Sequence, residues 1–496
     1  MSTKSSPKRI EKESSDNAII SFDLLANLTY MASVSLGGSP RDLILEWTLK
    51  QNYRTVGYFR QVYILAKRAG FEYTRAYQMV ARKTKAEQMR NLLLRFAGAI
   101  SSGYPEQEFL KEEAKVNREQ YINSYYRSLE TVTKWGDAYA ALLVSVSLVV
   151  VVSMISTMLS DITDTFVIVL AGTMFMVTGF GVYIIYRTSP YEIKTYKFKY
   201  GPKERQLAVK FFYYFVPAGA CLALILAFTW GLGPALLLLG FALLPSGFMA
   251  WRDDIKLDKI DQETATFIRS LGNVCASLGS TVANALGKLD KASMGTLEPY
   301  IERLQIRLRS HISPDKCWDA FRDECGAELM NRTTRIFADG VALGGAPDKV
   351  GALASEYSMD AALMRSRRSV SAAPFAFLTI PLHFAMTGLM IFILEIMKSF
   401  NDRITVAVAD LEAQTSGVGL AALPALPVFQ PHDMTMITVL TMCALLAYTV
   451  SNALAPKFAK GGHPLNIAGF GAITCILTGF NLVIVPPIAS GILLRG

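Results

Sequence analysis

The chain has 496 residues, of which 51% are hydrophobic and only 18% charged, with a formal net charge of +9. Its mean hydropathy is +0.29. This balance excludes an ordinary soluble enzyme, because the apolar residues gather into runs longer than a globular core needs and part of the chain must be solvated by lipid.

In chain order, the start is polar and basic with no apolar stretch of signal-peptide kind, so residues 1–20 read as a disordered tail that is not cleaved. Residues 21–137 read as a helical domain, with Leu24, Leu28, Met31 and Val34 recurring every three or four positions. Four spans of about 20 apolar residues follow over 138–251: Ala138–Leu159, Phe166–Tyr186, Phe211–Trp230 and Leu232–Trp251, with a basic loop at 187–210. Residues 252–371 read as a second helical domain, its apolar face running through Phe267, Leu271, Val274 and Leu278. The last block, 372–496, holds spans at Ala372–Leu394, Met434–Ala455 and Leu465–Leu494 and a long loop at 395–433. The expected fold is an all-α polytopic membrane protein with about seven transmembrane helices and two helical-bundle domains.

Charge sets the expected orientation. Nineteen Lys and Arg lie near span ends on one side, against Lys398, Arg403 and Arg495 on the other. The positive-inside rule then puts the amino terminus and both helical domains in the cytoplasm and the carboxyl terminus outside the cell membrane.

Helix breaks in the two domains follow one pattern, with Gly38-Ser39-Pro40, Gly103-Tyr104-Pro105 and Gly345-Ala346-Pro347, and Gly279 as a fourth case without proline. Glycine supplies the left-handed residue that ends a helix, and proline fits the first turn of the next. Gly38 to Gly103 is 65 residues and Gly279 to Gly345 is 66, which points to an internal duplication of about 241 residues.

No catalytic residue, metal or cofactor is expected, and the chain does not read as an enzyme. The stretch from Gly279 to Leu289 lacks both the spacing and the hydroxyl of a phosphate loop. No cysteine pair has C-x-x-C spacing. His383 and Glu395 are the ionisable groups at membrane depth, and twelve positions of helix leave them about 120° apart, so they read as packing and interfacial groups.

Two helical domains with hairpins such as Leu94 to Gly103 and Arg335 to Gly344, interleaved with membrane spans, resemble the type II secretion F-domain family. That family supplies the membrane platform of type IV pilus, secretion and archaellum machines, and the four-plus-three arrangement looks most like its archaeal members. The resemblance implies partners: a hexameric assembly ATPase, pilin or archaellin subunits, a second copy in a homodimer, and membrane lipid. The competing reading is a secondary transporter or channel with regulatory cytoplasmic domains.

The excess positive charge is local. Residues 1–137 carry 21 basic against 15 acidic residues, residues 187–210 carry 7 against 2, and residues 251–373 carry 17 of each. With the resemblance, Arg54, Arg60, Lys67, Arg68, Arg75, Arg82, Lys83, Lys85, Arg90 and Arg95 are expected to dock the ATPase together with Lys194, Lys197, Lys199, Lys203 and Arg205. Nucleic acid is not an expected partner, because the interleaved aromatics Tyr53, Phe59 and Tyr77 fall at core spacing.

Overall fold

The computed structural model describes residues 7–156, 164–197, 201–290, 294–310, 312–414 and 434–494. Sixteen helices account for most of them, and the chain is an all-α polytopic membrane protein. The first repeat is α1 (Pro7–Ser35), α2 (Arg41–Thr48), α3 (Val56–Lys67), α4 (Tyr73–Lys83), α5 (Glu87–Ser101) and the start of α6 (Glu106–Ser156). Then come α7 (Asp164–Thr188), α8 (Lys203–Thr229) and α9 (Leu232–Leu278). The end of α9 opens the second repeat, which continues through α10 (Val282–Leu286), α11 (Glu298–Arg309), α12 (Pro314–Cys325), α13 (Glu328–Ala342) and the start of α14 (Pro347–Gln414). Helices α15 (Thr435–Lys460) and α16 (Asn466–Leu494) complete the chain.

Four helix pairs, α2 and α10, α4 and α12, α5 and α13, α6 and α14, begin 241 residues apart. The turns sharpen this period. Positive φ falls at Gly38, Gly103, Gly279 and Gly344, so both matched glycine pairs are also 241 residues apart. The expected turn glycine Gly345 is therefore displaced by one. Its N–H closes the bond to Gly340 O (3.0 Å), as Tyr104 N–H does to Ala99 O (3.0 Å), which makes it the residue after the left-handed one. Gly345 is held small by packing: a Cβ there would lie 2.7 Å from Val350 Cγ2.

Three boundaries differ from the sequence expectation. Helix α1 begins at Pro7, so residues 7–20 are helical rather than a disordered tail, a stretch free of glycine and rich in Lys and Glu, which favour helix. Helix α14 runs on to Gln414, well into the expected loop at 395–433, because neither glycine nor proline interrupts that stretch; residues 415–433 lie outside the described residues. Helix α8 takes residues 203–210 from the expected loop at 187–210.

Among the described residues eight helices are long and apolar enough to cross a membrane by length and composition. Seven of them overlap the expected spans, of which residues 157–159 lie outside the described residues. The eighth, Asn17–Ser35 in α1, is 83% buried, and its apolar face serves a core instead.

The chain divides into two compact units. One comprises Met1–Ser128, Pro190–Lys203 and Asp253–Arg367 and contains both repeats. Its core takes Leu24, Leu28, Met31 and Val34 from α1 and Phe267, Ile268, Leu271 and Cys275 from α9. The expected α9 face drifts: Leu278 is half exposed, and Cys275 takes the inward place. Helix α1 lies close on α13, where Ser33 Oγ donates to Ile336 O (2.7 Å) and a Cβ at Gly340 would lie 2.2 Å from Ser33 Oγ.

The other unit comprises Leu129–Ser189, Glu204–Arg252 and Arg368–Gly496. Tyr139, Leu143 and Met154 of α6 pack with Met174 and Ile185 of α7, Met390 and Leu394 of α14, and Leu445 and Tyr448 of α15. His383 is buried here, within hydrogen-bond distance of Thr478 Oγ1 (2.9 Å), Thr474 O (3.2 Å) and Asn452 Nδ2 (3.1 Å), and Tyr139 Oη donates to Asn452 Oδ1 (3.1 Å). That satisfied network is a packing contact across four helices. Helices α9 and α16 touch backbone to backbone: a Cβ at Gly247 would stand 2.4 Å from Gly469 Cα, and one at Gly479 2.7 Å from Leu237 N. Small residues permit such approach in lipid.

Replacing Gly247 by Val should therefore force α9 and α16 apart and cost about 1–3 kcal/mol, read as a lower thermal midpoint in detergent. The same change at Gly172, where a Cβ meets nothing within 4 Å, should leave the midpoint nearly unchanged.

Candidate partner-docking surface

The ten basic residues expected on the first repeat are all exposed. Helical periodicity explains why. Arg60 and Lys67 on α3 with Arg68 just after its end, and Arg75, Arg82 and Lys83 on α4, stand seven or eight positions apart, two turns along one face. Val62, Ala76 and Val80 turn inward on the same helices. Beneath the charged face lie the aromatics: Tyr77 stacks on Phe96 (centroids 5.0 Å apart) and Phe59 meets the same ring edge-on (5.9 Å). These rings form core.

Two of the ten cations are already countered, Lys67 by Asp42 and Arg95 by Glu113, the latter through two bonds of 2.6 and 2.8 Å. Among the described residues none of the other eight side chains is ion-paired. Of these ten basic positions the second repeat keeps two, Arg309 and Lys316 at the places of Arg68 and Arg75. At its matching positions Arg82 becomes Asp323, Lys83 becomes Glu324, Arg60 becomes Ile301 and Arg90 becomes Asn331.

The loop cations behave differently. Lys194 is buried, with Nζ 2.7 Å from both Asp254 Oδ1 and Asp258 Oδ1. Burial pushes its pKa down, but the two carboxylates outweigh this and hold it above the usual lysine value, so it is an internal ion-pair partner. Lys197 is exposed and paired with Asp323 (2.7 Å). Arg205 is fully buried at the start of α8. Lys203 is exposed, and Lys199 lies outside the described residues. Lys194 and Arg205 therefore leave the docking surface, since neither can reach a partner from a buried position.

The sequence reading did not single out the group that positions the surface. Arg332 of α13, nearly fully buried, bonds Asp23 of α1 through Nη2 (2.7 Å) and Glu328 through Nε (2.8 Å). Its guanidinium also sits over the rings of Phe22 (4.2 Å) and Tyr53 (5.0 Å). The other oxygen of Asp23 accepts the Arg54 main-chain N–H (2.8 Å), which fixes the approach to α3. The available signal was Asp23 itself, a carboxylate between Phe22 and Leu24 at the edge of an apolar stripe. Tyr30 Oη donates to Asp339 Oδ2 (2.8 Å), a second tie between the repeats.

With that geometry in hand, comparison with known proteins gives a consistent direction. The chain is similar to flagella accessory protein J over most of its length. Identity to that protein of Methanocaldococcus jannaschii is 21% over 418 residues, covering 81% of this chain and 72% of the relative. For Methanococcus voltae the values are 22% over 419 residues, 82% and 73%. No family model matches the chain, and no solved structure matches it. Among the described residues no group of His, Cys, Asp and Glu is placed to hold a metal.

Replacing Arg332 by Met would strand Asp23 as an uncompensated buried charge and should cost roughly 3–5 kcal/mol. Lys197→Ala, which breaks an exposed pair, should cost less than about 1 kcal/mol. Thermal unfolding of the two purified variants in detergent checks the contrast.

Proposed function

We propose that the chain is the multi-pass cell-membrane platform of an archaellum or related type IV pilus machine. In this reading it performs no catalysis. The first repeat, on the cytoplasmic side, receives a hexameric assembly ATPase on its basic face, and membrane helices pass the motion to pilin or archaellin subunits. The observation that carries the reading is the similarity to flagella accessory protein J, joined to a basic surface confined to one of two otherwise matched repeats. A platform must bind a soluble motor without binding every anion. Eight exposed, uncountered cations on one helical scaffold supply steering and register, and the electroneutral second repeat does not compete for the same partner. Helices α6, α9 and α14 each contribute residues to both compact units, so motion at the docking face has covalent routes into the membrane helices. The exposed glycines Gly172 and Gly179 on α7 leave open backbone for a subunit helix.

Reversing Arg68, Arg82, Lys83 and Lys85 to Glu should weaken binding of the cognate secretion-type ATPase to the solubilised chain by about tenfold or more, and wild-type binding should fall steeply with salt. Reversing Arg309 and Lys316, the exposed counterparts of Arg68 and Arg75 in the second repeat, should have little effect. Undiminished affinity in the first variant, or equal loss in both, would overturn the reading.

A further inference from the structure

The second repeat shows what a covered α4–α5 junction looks like. Between α12 and α13 the extended residue Ala327 forms an antiparallel bridge with Thr195. Tyr196 N–H donates to Gly326 O (2.8 Å), and Glu328 N–H donates to Lys194 O (3.0 Å). One extended segment, paired through this single bridge, therefore satisfies a donor in the first turn of α13, a group that a helix cannot satisfy by itself. Side chains lock it in place: Lys197 pairs with Asp323, Tyr196 lies beside Arg335, and Arg365 binds Glu192 and the carbonyl of Ile193 (2.9 Å).

Among the described residues the first repeat has the same junction without a paired segment. Ala86 is extended, as Ala327 is, and α5 begins at Glu87 where α13 begins at Glu328. Thr84 is extended as well, so this linker presents a longer extended stretch than its counterpart. Among the described residues no group accepts the Glu87 N–H. Along this linker Thr84 and Ala86 are buried while Lys85 and Glu87 are exposed, and the neighbouring face of α5 is open. Glu87, Arg90, Asn91 and Leu94 are all exposed, whereas Glu328, Asn331, Arg332 and Arg335 at the same positions are buried or half-buried.

We infer that the first repeat binds an extended acidic segment of a partner protein as an added antiparallel strand along Thr84–Glu87. The chemistry of the occupant follows from the matched side chains. Arg82 stands where Asp323 meets Lys197, so the residue at that place in the incoming strand is acidic. Leu94, exposed where Arg335 meets Tyr196, calls for an apolar residue one position earlier. Lys83, Lys85 and Arg90 add positive charge on the same side. Main-chain bonds give this mode its affinity and alternate side chains its specificity. The inference rests on the reading of this face as the ATPase-docking surface and names its binding mode.

The test uses the full chain in detergent and two synthetic peptides: Pro190–Lys197 as it stands, and the same peptide carrying Lys197→Glu. The acidic peptide should bind in a salt-sensitive way and at least about tenfold more tightly than the native one. Glu87→Pro removes the donor at a helix position that accepts proline and should weaken the acidic peptide about tenfold, while Glu87→Ala should not. Arg82→Asp, which installs the second repeat's charge, should shift preference toward the native peptide. Equal binding of the two peptides, or no effect of Glu87→Pro, overturns strand addition. The same variants assayed against the ATPase separate the two ideas. Binding that survives Glu87→Pro but not charge reversal leaves the docking face standing and rejects the strand, whereas indifference to charge reversal rejects the face itself.

Discussion

One buried guanidinium holds the two repeats in register. Arg332 is removed from water, and an isolated charge there would be very costly. Two carboxylates and two aromatic faces offset that cost, and they come from α1, α13 and the segment before α3. Because Asp23 divides its oxygens between Arg332 and the Arg54 N–H, the ion pair that seats α1 on α13 also sets where α3 starts. The basic face on α3, α4 and α5 is therefore positioned by charge chemistry at its base. Replacing Arg332, Asp23 and Glu328 together by apolar side chains of similar volume could match the stability, but it would not fix the geometry of three segments through directed bonds.

On this scaffold the repeats have diverged in surface while keeping their helix schedule. The second repeat turns its charges inward upon the chain: Asp254, Asp258 and Asp323 hold Lys194 and Lys197, and Glu324 holds Arg303 and Arg307. The first repeat leaves its cations outward. Duplication thus divides one role in two, an anchored copy that receives the chain's own connecting segment and an open copy with its charges available to something else. In the proposed machine this asymmetry lets a single subunit present one docking face per chain.

The apolar spans and the helix-breaking glycines were legible in the sequence because they answer to local physics, the thickness of a bilayer and the sterics of left-handed backbone. The turn at Gly344-Gly345 was misplaced by one because either glycine can adopt positive φ, and only the hydrogen bond from Gly345 to Gly340 decides between them. The α1 stripe was read correctly through Leu24 to Val34, but Asp23 beside it was passed over as an ordinary polar neighbour. Lys194 was assigned to the surface because its acidic partners, Asp254 and Asp258, lie at least 60 positions away on α9, and no local pattern announces such a pairing. Arg205 escaped for a like reason, since burial at the start of α8 depends on how that helix packs. The exposure of the basic residues on α3, α4 and α5 was legible because helical periodicity alone determines which side of a short amphipathic helix faces water.

The central claim is that the first repeat, and not the second, meets the assembly ATPase. Photo-crosslinking in intact cells tests it most directly, with a photoreactive residue placed at position 82 in one strain and at its counterpart, position 323, in another. The account predicts a crosslinked product between this chain and the ATPase from position 82 and none from position 323. Crosslinks of equal yield from both positions, or from position 323 alone, would contradict it.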